Sequence, residues 1–538
     1  MGRRKLGRDM TAASKPQLEV PNRVDKEILH LDGSTLEGGG QLVRNAVALS
    51  ALTSQPIKIS KIRANRSGRQ GLKASHTAAL QFLADVCGAH IIGAFVGSTE
   101  LTFLPRREEN VSPEGQKGVE TVSAPSVPIK AKYDIRLPTP GSVFLVFQAL
   151  YPFLLYAGAS TSTTSAGVEW RLEPAFPAIS LSITGGTNVS FSPSYDYIAQ
   201  VLVPNFAKLG LPELSVRLHK RGWSTGHTEF GSVTFQIKPL SNNEPPKRGR
   251  EDVDGTSVEG DVTGSTSQAS TTGFPLFRLR DFERGSITQI DITILAPDNL
   301  VSESVPTRKD NKKKGMRGTH RSLESASTTS PSQTIRELLE SETIEALEHA
   351  LQHDDDAANQ PIINIHTSEK THHRTRVYLL LVAHTSTGMR LGYDVGPGIS
   401  SSDALGGPKK GGKQGKKGNH PNDGGKRKKE ESDGMEVTIR NMADRCVRGL
   451  MSEIAGGPDE NEESEDEYDG SSPHPNKRVR MACVDKHMRD QVVVFEALGR
   501  AFAKRDGEEI GASDWAEEGG LTLHSRTAMW VCEQILGV

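Results

Sequence analysis

Cysteine is scarce in this chain, with four residues among 538, and none of them falls into a CxxC or Cys/His spacing. This pattern excludes a zinc site of the usual spacing and a disulfide framework, and it favours a reducing compartment. Long apolar runs are also missing, because no stretch reaches the roughly 18 apolar residues that a membrane span needs. We therefore predict an intracellular protein with no membrane partner.

An excess of charge of one sign is absent too, since 65 lysines and arginines nearly balance 67 aspartates and glutamates. Overall charge therefore does not point to a nucleic-acid partner, and charge has to be examined locally. Basic runs occur at 426–429 (KRKK) and 476–480 (NKRVR). Such runs are typical of nuclear import signals, of contacts with an RNA backbone and of solvated loops. On this basis we predict a nuclear location, in the nucleoplasm or nucleolus.

Apolar periodicity predicts alternating helices and strands from residue 29 to about 105. A helix follows the glycines in "GGGQLVRNAVALSALTSQ", "PIKISKI" alternates as a half-buried strand, and "GLKASHTAALQFLADVCGAH" forms a second helix. Paired strands follow in "HIIGAFVG" and "STELTFLP". The same order recurs in "YIAQVLVPNFAKLG", "LSVRLHKRG" and "GSVTFQIKPL", where "GSVTF" echoes "GSTELTF". This recurrence indicates a duplicated unit of helix and strands.

Further elements are predicted toward the C-terminus, and together they indicate an α/β (α+β) protein. Strands are expected in "SITQIDITIL", "PIINIHT" and "TRVYLLLVAHTS". Helices are expected in "SQTIRELLESETIEALEHALQ", "VTIRNMADRCVRGLMSEI" and "RDQVVVFEALGRAFA". The last segment, "LTLHSRTAMWVCEQIL", has the pattern of a short strand that runs into a helix.

Polar, low-complexity stretches interrupt these elements and define the predicted domains, because long surface insertions cost little loop-closure entropy. A large domain is expected at 29–240 and 387–538, and a smaller inserted α/β domain at 285–386. The remaining segments are a disordered tail at 1–28, a linker at 241–284, and disordered insertions at 302–332, about 406–434 and about 456–476.

Three consecutive glycines, 38–40, precede the first helix, where backbone N–H groups can face an anion. The spacing fits neither GxxxxGK[ST] nor GxGxxG, so by itself it favours a tight turn. The neighbouring side chains add an acid and several guanidinium groups, which suit a cation and phosphate oxygens. They indicate a nucleotide or phosphate-end site, with a surface ion-pair cluster as the alternative: Glu37, Gln41, Arg44, Arg63 and Arg66.

Residues 31–89, "LDGSTLEGGGQLVRN" through "QFLADVCGA", resemble without a gap the N-terminal signature of the RNA 3'-terminal phosphate cyclase family. Further matches follow in the family's order: "GSVFLVFQALYPFLLYA", "TGGTN" with "SPSYDY", "TSTG", "VDKHMRDQ" and "LTLHSRTA". The resemblance implies a large domain of repeated helix-and-sheet units, similar to the C-terminal domain of translation initiation factor 3, with a smaller inserted domain.

The resemblance also implies a ligase-type activity that uses ATP and a divalent cation, Mg or Mn, to convert an RNA 3'-phosphate into a 2',3'-cyclic phosphate. In this family a histidine attacks the α-phosphate of ATP, AMP passes to the RNA 3'-phosphate, and the neighbouring 2'-OH displaces it. Matching the motifs residue by residue makes His524 the nucleophile and Glu37 the metal residue. It assigns ATP to Gln41, Pro193, His487, Asp490 and Gln491, and the phosphate or RNA end to Arg44, Arg63 and Arg66.

Some positions depart from the family pattern and make reduced or altered activity plausible. His487 replaces a tyrosine, Ser75 replaces a glutamine, "TPGS" replaces "AGS", and "RGWSTGHTEFGSV" replaces a proline followed by a glycine triplet. Two alternatives therefore stay open. One is a non-catalytic cyclase-like protein of small-subunit rRNA processing, with pre-rRNA or ribosome-assembly factors as partners, although such proteins lack the histidine. The other is an adenylating enzyme for 5'-phosphates or DNA 3'-phosphates.

Overall fold

The computed structural model describes residues 27–66, 68–106, 129–160, 178–225, 228–240, 273–301, 333–352, 360–396, 426–456, 482–505 and 521–538. The predicted tail up to residue 26 and nearly all of the predicted insertions lie outside these ranges. Within them, three four-stranded mixed sheets pack against helices, which confirms the α/β class. No helix in these ranges is long and apolar enough to cross a bilayer.

The first unit alternates strands and helices as predicted. Its elements are β1 (Leu29–Asp32), α1 (Gly40–Thr53), β2 (Ile57–Ser60), α2 (Ala74–Cys87), β3 (His90–Ile92) and β4 (Leu101–Leu104). The strand order is β1-β2-β4-β3, with β1 and β2 parallel and the other pairs antiparallel. Ile57 and Ile59 are fully buried while Lys58 and Ser60 are half-buried, so alternation places one face on the core.

The second unit repeats this topology, which confirms the duplication. It comprises β5 (Lys132–Arg136), α3 (Val143–Ser160), β6 (Ile179–Gly185), a helical stretch, β7 (Leu214–Lys220) and β8 (Gly231–Ile237), in the order β5-β6-β8-β7. The echoed "GSTELTF" and "GSVTF" fall on the equivalent strands β4 and β8.

One predicted helix of the second unit is divided into three segments. They are α4 (Tyr195–Tyr197), a π-helical turn (Ile198–Leu202) and α5 (Val203–Lys208). Pro204 lies at the start of α5, where its missing N–H cannot continue the regular hydrogen-bond ladder. The break therefore follows from the proline.

The third unit has a different strand order, β10-β9-β11-β12. Its elements are β9 (Ile287–Ala296), α6 (Ile335–Leu351), β10 (Ile362–Lys370), β11 (Tyr378–Thr385), β12 (Arg390–Val395) and α7 (Lys426–Ala455). Helices α6 and α7 cover one face of the sheet, and Tyr197, Val201 and Trp223 of the second unit cover part of the other. The sheet continues past residue 386, and the backbone of α7 begins inside the stretch 406–434 predicted to be disordered; the domain division itself stays a prediction.

Two helices complete the described chain, α8 (Lys486–Arg505) and α9 (Leu523–Leu536). They pack on each other, and α9 packs on α1. The short strand predicted at "LTL" is wrong. Thr522 is the N-cap of α9, and its hydroxyl accepts a hydrogen bond from the Ser525 N–H at 3.0 Å, so the helix starts at Leu523. The result is that the start of α9 lies beside the glycine loop before α1.

Candidate active site

The three glycines form a tight loop that several side chains approach closely. Gly38 has φ +58, a conformation that side-chain-bearing residues rarely adopt. A Cβ on Gly40 would lie 2.7 Å from Nε2 of His76 and 2.9 Å from Nη1 of Arg44. The predicted turn therefore has a second requirement, because only glycine leaves room for these two side chains at the start of α1.

His524 lies in the first turn of α9 and faces this loop. Its Nδ1 is 3.2 Å from Oε1 of Gln41 and 3.4 Å from Oε2 of Glu37. Gln41 Nε2 donates to the backbone carbonyl of Asp490 at 3.3 Å, and that bond fixes which end of the amide faces the histidine. Because the amide oxygen only accepts, the proton belongs on Nδ1 of His524 and the lone pair on Nε2.

Glu37 lies between the glycine loop before α1 and the helix α9. Its backbone N–H donates to Oγ1 of Thr527 on α9 at 3.2 Å, and its side chain is 7% exposed. Arg66 Nη2 contacts Oε1, and His524 approaches Oε2. Neither carboxylate oxygen accepts a hydrogen bond of normal geometry from a residue that the structure describes. A buried carboxylate with lone pairs to spare is a suitable ligand for a hard cation.

Asp490 holds the start of α9 from the neighbouring helix α8. Its Oδ1 accepts hydrogen bonds from Ser525 Oγ at 2.6 Å and Thr522 Oγ1 at 2.9 Å. Burial raises the pKa of this carboxyl, although the hydrogen bond from Ser525 acts in the opposite direction. Asp490 therefore positions the backbone of the His524 turn through its side chain and Gln41 through its carbonyl.

Arg44 connects this centre to a pocket. It is buried, its Nε donates to Oε1 of Gln148 on α3 at 2.8 Å, and burial lowers its pKa to about 10. Gln148 lines a pocket between α1, α3 and α8 that Pro193 and Gln491 also line. Gln148, which the sequence patterns did not single out, thus bonds to Arg44 and shares a pocket with Pro193 and Gln491. These three neighbours are residues predicted to contact ATP or a phosphate.

Positive charge surrounds His76 on the other side of the glycine loop. Burial lowers the pKa of His76 well below its ordinary value, and the charges of Arg44, Arg63 and Lys73 lower it further. Burial also lowers the pKa of Lys73, with contributions from Arg63, Arg66 and Arg44. The three predicted arginines therefore act on one region, and His76 is neutral at pH 7 within it.

A family model described as RNA 3'-terminal phosphate cyclase matches residues 35–538, which include every one of these positions. The chain belongs to the RNA 3'-terminal phosphate cyclase family.

Curated cyclases from archaea give the extent of the similarity. The RNA 3'-terminal phosphate cyclase of Methanosarcina barkeri is 36% identical over 231 residues, which is 43% of this chain and 57% of the relative. That of Thermococcus gammatolerans is 36% identical over 220 residues, 41% and 51% of the two chains. That of Staphylothermus marinus is 32% identical over 221 residues, 41% and 50%. The chain spans about half the length of the curated relatives it matches.

Two predicted residues of this cyclase-family site lie apart from the central contacts. Nη1 of Arg63 donates to the carbonyls of Arg69 at 3.0 Å and Gly71 at 3.2 Å, so it holds its own loop. His487 lies at the start of α8, and its ring packs edge-on against Tyr197, with centroids 6.4 Å apart. Its direct contact with a nucleotide stays a prediction.

Two of the departures from the family pattern are neighbours in space, and a third lies against another unit. A Cβ on Gly141, in "TPGS", would lie 3.9 Å from Cβ of Ser75, so these two differences are neighbours. The segment after Gly222 turns toward the third unit: Trp223 is buried against that sheet, and Glu229 Oε2 accepts a hydrogen bond from Arg376 at 2.7 Å. The departure after Gly222 therefore serves contact between units.

Proposed function

We propose that this chain is an ATP-dependent RNA 3'-phosphate cyclase that works through a covalent adenylate on His524. The observation that carries the proposal is the convergence of His524 with Glu37 and Gln41, the latter 483 positions away in the chain. A fixed tautomer, an adjacent carboxylate and flanking guanidinium groups form a constellation suited to nucleotidyl transfer.

In the first step the Nε2 lone pair of His524 attacks the α-phosphorus of ATP. An N–P bond forms, the bond to the bridging oxygen breaks, and pyrophosphate leaves with that electron pair. Gln41 Oε1 accepts the Nδ1–H, and the Glu37 carboxylate, 3.4 Å from Nδ1, stabilises the positive charge that develops on the imidazole. The side chain of His524 is 44% exposed, so a nucleotide can reach it.

In the later steps an oxygen of the RNA 3'-phosphate attacks the AMP phosphorus and displaces His524. The neighbouring 2'-OH then attacks the 3'-phosphorus, loses its proton, and AMP leaves with the electrons of the broken P–O bond. Arg44 and Arg66, with Lys73 nearby, supply the positive charge that these phosphates require. Arg63 contributes its charge and holds the loop.

A divalent cation, Mg or Mn, fits this site through Glu37, whose carboxylate oxygens accept no normal hydrogen bond among the described residues. The described residues contain no group of three side chains that could hold a metal on their own. Glu37 would therefore share the ion with phosphate oxygens, an arrangement that Mg²⁺ favours. When bound, the ion neutralises phosphate charge.

Pro193 and Gln491, which line one pocket with Gln148, provide the adenine site in this proposal. Asp490 and His487, which precede Gln491 on α8, contribute to the same site. The family's finer features, a large domain similar to that of translation initiation factor 3 and a smaller inserted domain, are part of the same proposal. So is a nuclear location, whose sequence signals lie outside the described side chains.

The test is conversion of an RNA oligonucleotide with a labelled 3'-phosphate into a phosphatase-resistant 2',3'-cyclic product. We expect product with ATP and Mg²⁺ or Mn²⁺, none with His524→Ala, and normal yield with His90→Ala, a control on an exposed histidine of β3. Reaction only with 5'-phosphate or DNA 3'-phosphate ends would show that the enzyme acts on those ends and not on RNA 3'-phosphates. No reaction with any end would contradict the proposal and favour the non-catalytic role in small-subunit rRNA processing.

A further inference from the structure

The second sheet has one face that no described element covers. Residues that pair across β5, β6, β8 and β7 share this side, because cross-strand partners point the same way. Hydroxyl and amide groups fill its centre and are linked by hydrogen bonds such as Ser182 to Thr234 at 2.8 Å and Gln236 to Ser180 at 3.2 Å. We call this side the open face; its outer residues are Lys132, Asp134, Arg136, Arg217 and His219.

Most cations of the open face lack acidic partners among the described residues; the exception is Lys220, which lies opposite Ser232 and pairs with Glu229 at 3.0 Å. Lys132, Arg136 and Arg217 are exposed, and none of them forms an ion pair or side-chain hydrogen bond with a residue that the structure describes. The first sheet differs, because Lys58 pairs with Glu100 at 4.0 Å and Lys61 with Asp32 at 2.7 Å. Three cations that pair with no described residue, with Asp134 between two of them, border a strip of hydroxyls and form a surface complementary to phosphates.

The strand β6 leads from the open face to the candidate active site. After Gly185 it enters the loop that carries Phe191 and Pro193, and Pro193 lines the pocket beside Gln148. Phe191 has a fully exposed ring and φ +58, which is uncommon for a bulky residue. The loop is held in place on both sides, by Ser192 Oγ to the Val189 carbonyl at 2.8 Å and by Ser194 Oγ to Tyr378 at 2.6 Å.

We infer that single-stranded RNA follows the open face of the second sheet toward the pocket and stacks a base on Phe191. The inference rests on the proposed function and adds to it the path of the RNA. An exposed ring outside the pocket suits a strand that continues beyond the reacting end, and aromatic stacking accepts any base. The cations on the outer strands contact phosphates, and the hydroxyls between them can bond to 2'-OH groups.

The experiment measures the affinity of a 20-nucleotide RNA with a 3'-phosphate, and of a dinucleotide with the same end, over a range of salt concentrations. The variant Lys132→Gln/Arg136→Gln/Arg217→Gln is compared with Lys58→Gln/Lys61→Gln on the first sheet. We expect the triple variant to lower the salt slope for the 20-nucleotide RNA by about 2, from about 0.7 per lost phosphate contact. Binding of the dinucleotide, and the control variant, should stay at wild-type values.

The aromatic contact is tested separately with Phe191→Ala and the control Phe95→Ala, which removes an exposed ring from the first unit. We expect Phe191→Ala to weaken binding of the 20-nucleotide RNA roughly tenfold at any salt concentration, while Phe95→Ala leaves it unchanged. An unchanged salt slope in the triple variant, equal losses for the dinucleotide, or no effect of Phe191→Ala would overturn the inference.

Covalent labelling by ATP distinguishes this inference from the proposed function. All these variants should label as the wild type does, which also shows that they fold. A wild type that does not label, yet shows the expected salt slopes, would remove the cyclase activity and leave the RNA path intact. Normal labelling of all variants, together with a salt slope that the triple variant does not change, would remove the RNA path and leave the covalent adenylate step intact.

Discussion

The first and second sheet units share one strand order but contribute differently to the candidate site. In the first unit the loop from β1 to α1 supplies Glu37, and α1 supplies Gln41 and Arg44. In the second, the corresponding loop from β5 to α3 brings no charged side chain, and α3 supplies Gln148. The two units thus share a scaffold, and the loop before the first helix of each unit decides which copy carries the groups that we propose to react.

The largest expected effect comes from adding one methyl group to the loop before α1, compared with adding one to the loop before α3. Gly40→Ala places a Cβ within 3 Å of His76 and Arg44, whereas a Cβ on Gly141 meets nothing closer than 3.8 Å. We expect Gly40→Ala to reduce labelling by ATP about 100-fold, because small displacements of reacting groups are costly. Gly141→Ala should keep it within about twofold of wild type. Equal losses in the two variants would show that the loops are equivalent.

A second contrast concerns how the units are held. Arg221 of the second unit forms two hydrogen bonds with buried Asp196, at 2.7 and 3.0 Å, and also contacts Glu369 of the third sheet. Arg221→Ala leaves a buried carboxylate unpaired, so we expect a loss of about 3–5 kcal/mol in the free energy of unfolding. In the first unit, Lys61→Ala removes an exposed pair with Asp32 and should leave the denaturation midpoint nearly unchanged. Similar midpoint shifts would contradict this difference.

Much of this arrangement could be predicted from the sequence, and the failures have local causes. Periodicity located α1, α2 and the pair β3 and β4, because their apolar residues recur at helical spacing or in short strand-like runs bounded by glycine and serine. It failed at Leu521 to Leu523, because the same apolar–polar–apolar triplet occurs in a strand and around the N-cap of a helix. It missed β12, a short strand with a central glycine, Gly392.

The site was predicted from motif positions, and the structure adds what motifs do not contain. Gln148, Lys73 and His76 gave no pattern signal of their own, because an isolated polar residue within a helix or at its start is ordinary. Their importance follows from the contacts with Arg44 and with the glycine loop, which depend on long-range packing of α1 against α2 and α3. The signal that would have identified Gln148 is a single amide side chain in the otherwise apolar run from Val143 to Leu155.

The smallest expected effect is a pH dependence that belongs to the first unit. His76 is the buried histidine among the described residues, and its folded-state pKa is depressed below the unfolded value. Its contribution to stability is therefore present above about pH 6.5 and lost as the pH falls, because the unfolded chain binds the proton more readily. Denaturant unfolding at pH 8 and pH 5 should show a smaller loss for His76→Gln than for wild type. An equal loss of unfolding free energy in the two proteins would show that the acid sensitivity comes from groups other than His76.

The most direct measurement of the central claim is incubation of the purified protein with ATP labelled at the α-phosphate and Mg²⁺ or Mn²⁺. We expect acid-labile label on the wild-type chain and on His90→Ala, and none on His524→Ala. Label that persists in His524→Ala, or a wild-type chain that takes up none, would contradict a covalent adenylate on His524.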